Sequence, residues 1–290
     1  MFEVGTAALR GVISAPLDRV RRKAAAKPVY DESVNAIIEG DIIPRLMMAH
    51  SSGSVRSAAR HSRPIDPEAA KRFSVLPLQL EAAGLLEEVE SFMAEGASVE
   101  TIFLDLLAPA ARKLGEMWES DECDFIDVTM GLWRLQEVMR EVAARVPAER
   151  DFLCAPRSGA CFCPMPGDNH NFGALMIEEV FARAGWQSEA LIKPERRELL
   201  DRLARRPYDL VGLTLTRDCP SAALANLVKA MRKVSANPDL IIFVGGRMIN
   251  NNPHLVAEVD ADGTACDALS ALELAENLVT MPVARGMNLR

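Results

Sequence analysis

The chain of 290 residues is poor in the side chains that usually announce chemistry, with only four histidines, two tyrosines and three tryptophans. Its six cysteines, at positions 123, 154, 161, 163, 219 and 266, form no CxxC pair, which argues against zinc of the usual spacing. Cys161-Phe162-Cys163 alternates like one strand face, so the cysteines read as reduced, small hydrophobes. A basic excess is missing too: Lys plus Arg total 33 against 41 for Asp plus Glu, a net charge of -8. Nucleic-acid surfaces need a basic stripe that displaces counterions, so any action on DNA is expected to pass through another protein. No apolar run approaches the roughly 20 residues that cross a bilayer. The N-terminus does not show the charged-then-apolar order of a signal peptide, since its basic cluster Arg19–Lys23 comes last, and a cytoplasmic location is expected. Glycine-rich phosphate loops, Ser/His/Asp sets and paired carboxylates are absent from the pattern, so an enzyme is not expected.

What is present is a well-cored composition, 49% hydrophobic and 26% charged, long enough for two domains. Residues 1–65 read as an N-terminal helical arm and linker. Asp31–His50 carries helical spacing disturbed by Gly40 and Pro44, and His50–Pro64 is rich in Ser, Arg and Gly. Residues 66–149 read as a helical bundle. One apolar face runs Val99, Ile102, Phe103, Leu106, Leu107, Ala110, Leu114, Met117, and another runs Phe125, Val128, Leu132, Leu135, Met139, Val142. Trp133 and the methionines at 117, 130 and 139 are expected in the bundle core. In residues 150–290 short apolar runs alternate with helical stretches. Strands are expected at 160–165, 187–192, 210–216, 240–244 and 264–266, which makes a parallel, doubly wound sheet. The fold class is therefore α + α/β, a bundle followed by a Rossmann-like domain.

After the first strand comes Pro166-Gly167-Asp168-Asn169-His170-Asn171-Phe172-Gly173, leading into a helix. Loops at the carboxyl ends of parallel strands are where such sheets bind ligands. An Asp two residues before a His can accept from the imidazole, fix its tautomer and leave the other nitrogen as a metal ligand. Gly173 would admit a bulky group near the backbone. Taken alone, the string is also what an incidental loop histidine looks like.

The Asp168-x-His170-x-x-Gly173 pattern in this context resembles the cobalamin-binding domain shared by methionine synthase, corrinoid carrier proteins and light-responsive B12 regulators. The resemblance implies that His170 replaces the dimethylbenzimidazole base beneath cobalt, with the nucleotide tail in a slot beside the sheet. Thr214 and Thr216 fall where the family has Ser-x-Leu, Gly245-Gly246 matches its double glycine, and Thr264–Asp267 resembles the segment before its last helix. Side chains at the glycines would fill the slot. Leu114-Gly-Glu-Met-Trp118 resembles the bundle that caps cobalamin, where a Trp lies over the corrin. Regulators of the CarH type carry Glu-His ten and eleven residues after that Trp; here Val128 and Thr129 stand there, so a histidine on the upper face is not carried over.

With Asp41–His50 in front and no DNA-binding helix-turn-helix, the chain is similar to the AerR/PpaA group, antirepressors of photosynthesis genes related to the AppA sensor domain. His50 itself also reads as a surface histidine at a helix end. The similarity implies a light- or redox-responsive B12 regulator acting on a CrtJ/PpsR-type repressor, with hydroxocobalamin favoured and adenosylcobalamin as the second form. A corrinoid carrier of a methyltransferase system and a haem sensor with His170 or a cysteine as axial ligand are the competing readings.

Overall fold

The computed structural model describes residues 62–147 and 158–280. The expectations for Arg19–Lys23, Asp31–His50, His50 itself and Cys154 lie outside them.

The first helix among the described residues is α1 (Pro67–Phe73), whose N-terminus is capped by the Asp66 carboxylate and started by a proline at the first position. A 3₁₀ turn (Leu76–Leu78) leads to α2 (Ala82–Ala94). The next helix runs as α3 (Val99–Thr101), a π-helical stretch at Ile102–Leu107, and α4 (Ala108–Glu119). Helix α5 (Phe125–Arg145) starts from a capping box in which Asp124 accepts from Ile126 and Asp127 while Asp127 accepts from Asp124. The core of these helices is the stripe expected from Val99 to Leu114 together with Val128, Leu135, Val138, Met139 and Val142.

Two expectations for this bundle are corrected. Phe125, Met130 and Trp133 are exposed rather than core: Met130 and Trp133 point away from the face that Val128, Leu135 and Val142 bury, and Phe125 is the first residue of α5. Met117 is only half-buried near the end of α4.

The second part alternates β1 (Gly159–Pro164), α6 (Phe172–Arg183), β2 (Gln187–Ala190), α7 (Arg196–Arg205), β3 (Leu210–Thr214), α8 (Ser221–Val234), β4 (Ile241–Gly245), α9 (Arg247–Asn251), α10 (Leu255–Glu258) and α11 (Ala268–Thr280). The strands are parallel in the order β2-β1-β3-β4. Their side chains alternate between two cores, as a sheet covered on both faces requires. Cys161, Cys163, Val211, Leu213, Ile242 and Val244 pack with α7 and α8. Ala160, Phe162, Leu210 and Phe243 pack with α6 and α11.

The fifth strand expected at 264–266 is not formed: the described sheet has four strands, and a single bridge joins Phe243 to Gly263. The segment touches β4 through Asp262 N–H to Ile242 O at 2.8 Å and Val244 N–H to Gly263 O at 3.1 Å, then leaves it. A run of Gly-Thr-Ala-Cys has one β-branched residue and too little side-chain bulk to hold a longer ladder.

The bundle lies on the α6/α11 side, where Met176, Val180 and Ala268 join its core. Arg183 at the end of α6 donates to Glu100 at 2.8 Å and to the Val146 carbonyl at 2.7 Å. Burial raises the Glu100 carboxyl, but the Arg183 bond and charge outweigh it and hold it below its ordinary range.

Burial pushes the Cys161 thiol up to about 12. Cys163 beside it is raised for the same reason. A folded value above the unfolded one means the unfolded chain loses its protons first as pH rises, so this stabilisation is whole below the ordinary thiol range of about 8.5 and is lost toward 12. Denaturant midpoints measured at rising alkaline pH should fall across that window, and Cys161→Ala should flatten the fall; an unchanged slope in the variant would contradict the burial argument.

Candidate functional site

The strand order reverses direction between β1 and β3, so the loops after these strands diverge and leave a crevice at the carboxyl edge of the sheet. The loop after β1 is folded by a turn, Asp168 N–H to Met165 O at 2.8 Å, that needs the positive φ of Gly167 (92°). This turn delivers Asp168 and His170 to the crevice. Asp168 Oδ1 meets His170 Nδ1 at 2.5 Å and also accepts the His170 backbone N–H at 3.1 Å. The Asp168 side chain is 8% exposed and that of His170 41%. Burial raises the Asp168 carboxyl, yet the two bonds from His170 prevail and hold it below its ordinary value. The ring is thus held from its Nδ1 side, and its Nε2 is left for a ligand or metal.

Gly173, Thr214 and Gly245 lie side by side behind this loop. A Cβ on Gly173 would stand 3.9 Å from Thr214 Cγ2, Thr214 pairs with Gly245 across β3 and β4, and a Cβ on Gly245 would stand 3.9 Å from the Ala265 carbonyl. Among the described residues two threonine hydroxyls here are buried without a hydrogen-bond partner, Thr214 Oγ1 and Thr264 Oγ1. An orphaned buried hydroxyl costs about 1–3 kcal/mol, so these two mark a strip that suits a polar ligand group. Thr216, past the end of β3, is half-buried. Of the pair of glycines, only Gly245 borders open space. Gly246 has φ 94°, and a Cβ there would come within 2.5 Å of the Leu215 carbonyl oxygen. Its glycine is needed for backbone packing, a requirement the sequence expectation for the pair did not include.

The bundle reaches over this crevice. Gln136 of α5 donates to Asn171 at 3.2 Å at the head of α6, and Val146 meets Arg183 at the foot of α6, so the two helices run alongside in the same direction. The first half of α5 therefore projects past the head of α6, above the carboxyl edge of the sheet. Thr129 lies on the same row as Gln136, although its hydroxyl donates to Phe125 O at 2.7 Å. Trp118, half-exposed, precedes Glu119, whose carboxylate accepts from Arg247 at 2.5 Å just after Gly246. Val128, next to Thr129, is buried in the bundle core.

Residues that sequence reasoning passed over also gather here. Thr264 was named only as part of a segment, and its orphaned hydroxyl depends on packing that no pattern displays. Cys219, on the loop after β3, donates to Met248 Sδ at 3.8 Å, and burial, then Asp218 and Asp168, pushes its thiol up.

Alanine at Gly246 should lower thermal stability by about 1–3 kcal/mol, the cost of a φ that L residues avoid, with the Leu215 clash added. Alanine at Gly245 should leave the melting temperature nearly unchanged; equal losses in thermal denaturation would show that both are turn glycines only.

Residues 164–273 match a B12 binding domain, and residues 70–142 match a second B12 binding domain model. A Rhodobacter capsulatus protein described as an uncharacterized 20.5 kDa protein in the bchF-crtJ intergenic region is 25% identical over 173 residues, 60% of this chain and 89% of that one. Among solved structures, the Methanosarcina barkeri monomethylamine corrinoid protein superposes with TM-score 0.61 and 17% identity, over 75% of this chain and all (100%) of that one. That likeness establishes the shared fold. A cobalamin-binding protein from Desulfitobacterium hafniense DCB-2 matches with TM-score 0.39 and 19% identity, over 74% of this chain and 98% of that one. The two B12 binding domain matches follow one another along the chain, the first over the helical bundle and the second over the α/β part.

Proposed function

We propose that the chain holds cobalamin between bundle and sheet, with His170 Nε2 as the lower axial ligand of cobalt. The observation that carries this reading is the buried Asp168 carboxylate fixing an exposed imidazole at the switch point of the sheet. The residues present fit the group: one oriented nitrogen donor, two orphaned hydroxyls at Thr214 and Thr264, and open space at Gly245. Cobalamin would supply a cobalt whose upper ligand responds to light or redox state. Asp168 would hold the ring and strengthen its donor nitrogen. Thr214, Thr216, Thr264 and Gly245 would border the nucleotide tail, and Trp118 with the Phe125–Thr129–Gln136 row of α5 would cover the opposite face and exclude water.

The protein acts in this reading as a regulator without catalysis of its own, an antirepressor reaching a CrtJ/PpsR-type repressor through protein contact. The position of the Rhodobacter relative beside crtJ supports it. Against the haem reading stands the pairing of Asp168 with His170, the spacing that carries the corrinoid resemblance.

Hydroxocobalamin titrated into the protein should give a spectrum with the base displaced by histidine. His170→Ala should abolish that spectrum, and Asp168→Ala should weaken binding about 10–100-fold, the usual effect of removing the partner of a ligand histidine. Binding with an unchanged spectrum in His170→Ala would refute the ligand assignment. A haem spectrum would replace the cofactor, and cycling through cob(I)alamin would make the protein a methyl carrier. For regulation, hydroxocobalamin should bind more tightly in darkness than adenosylcobalamin and relieve repression in an assay with the DNA-bound repressor; equal affinity, unaffected by Trp118→Ala, would leave B12 a static cofactor.

A further inference from the structure

Helix α5 serves three neighbours with three rows of side chains. At about 100° per residue, Val128, Gly131, Leu135, Val138 and Val142 share the row that faces the bundle core, and Phe125, Thr129, Leu132 and Gln136 share the row turned toward the head of α6. Arg134 points to α2, where Glu81 and the Pro77 carbonyl hold it. A third apolar row remains, formed by Ile126, Met130 and Trp133 at i, i+4 and i+7, on the side nearly opposite the core. These residues are 68%, 39% and 49% exposed. Contiguous large apolar side chains facing water on a helix mark an interaction surface more often than scattered ones do.

The charges around this row are of one sign. From Glu116 to Asp127 the chain carries six acidic side chains and no basic one. Glu116 is paired with Lys113 and Glu119 with Arg247. Among the described residues, Asp121, Glu122, Asp124 and Asp127 form no ion pair, and all four are exposed. Their combined field is felt at Cys123, whose thiol is raised by burial and then by Asp127, Asp124 and Glu122. Farther along α5, Arg134 and Arg145 are already engaged by Glu81, Glu90 and Glu141.

We propose that the Ile126–Met130–Trp133 row, with the acidic turn at 121–127, docks a basic amphipathic helix of a partner protein. An apolar strip containing an adaptable methionine and a large aromatic side chain, beside an acidic rim, complements a helix with an apolar face flanked by lysine or arginine. Tryptophan is the side chain most enriched among residues that dominate binding energy, and the acidic rim speeds encounter and selects the sign of the partner. A second copy of this chain fits poorly, since it would bring one unpaired acidic turn near another. The surface lies on a different row of α5 from the one turned to the crevice, so this inference goes beyond the corrinoid reading and stands independently of it.

The test uses the full chain without corrinoid and a labelled synthetic helix with a leucine face flanked by lysines, followed by fluorescence anisotropy. The lysine helix should bind, weakening as salt rises through about 0.1 M, where the screening length shrinks to about 10 Å. The same helix with glutamates in place of lysines should not bind. Combined Ile126→Ser, Met130→Ser and Trp133→Ser should weaken binding at least about tenfold, a modest fraction of what truncating a central aromatic can do. Asp121→Asn with Glu122→Gln should reduce affinity severalfold and flatten the salt dependence. Circular dichroism should show the helices intact in both variants, because the changed side chains are exposed. Equal binding of the two helices, unchanged affinity in the serine variant, or a concentration-dependent dimer in sedimentation that the serine variant abolishes would each overturn the proposal.

Discussion

A buried carboxylate and an exposed imidazole, Asp168 and His170, are the pair around which the candidate site is organised. An ionised aspartate inside a protein is costly unless strong donors satisfy it. Here His170 supplies two of the donors, its ring nitrogen and its backbone N–H both pointing at Asp168 Oδ1. The constraint works in both directions: the ring cannot rotate without abandoning the carboxylate. Everything that shapes the loop serves this pair, from the turn closed at Met165 to Asn171 heading α6.

The parallel sheet decides where that loop can stand. Strands covered on both faces must bury two alternating sets of side chains, and helices then fill both flanks. The loops that follow the strands gather at the carboxyl edge, and the divergence between β1 and β3 opens it. Gly246 shows how tightly that edge is built, because its backbone approaches Leu215 too closely for any side chain. Among the described residues, the buried side-chain polar atoms without a hydrogen-bond partner are the hydroxyls of Thr214 and Thr264 and, away from this edge, Arg232 Nε. A fold that tolerates one such group on either side of β4 has reason to keep polar atoms there.

The bundle contributes a helix whose circumference is divided among three tasks. One row of α5 builds the hydrophobic core, the next leans over the crevice, and the third faces water with Ile126, Met130 and Trp133. Few polar contacts tie the bundle to the sheet domain at the crevice: Gln136 to Asn171 on one side and Glu119 to Arg247 on the other. A neutral hydrogen bond and an exposed ion pair contribute about 1 kcal/mol each at most, so the attachment also rests on apolar packing through Met176, Val180 and Ala268 and on the largely buried Arg183–Glu100 pair.

Local pattern was enough for most of this architecture. Apolar spacing of 3–4 residues outlined the bundle, and short apolar runs alternating with amphipathic stretches located four strands and their helices, because periodicity reports directly which side chains must leave water. The Asp168-x-His170 spacing exposed the centre of the site for an equally local reason, since two residues in one turn are bound to meet. What tertiary structure alone decided were the partners brought from a distance. Residues 264–266 look like a strand by themselves, yet only a single bridge forms against β4, at the neighbouring Gly263. Gly245 and Gly246 are identical in sequence and opposite in role, because Leu215 approaches only the second. Val128 and Thr129, adjacent in the chain, separate into core and surface, and Trp133 faces water although its composition suggested the interior. Each of these outcomes depends on which neighbour arrives across space, and that is set by how the bundle and the sheet pack rather than by any short stretch of sequence.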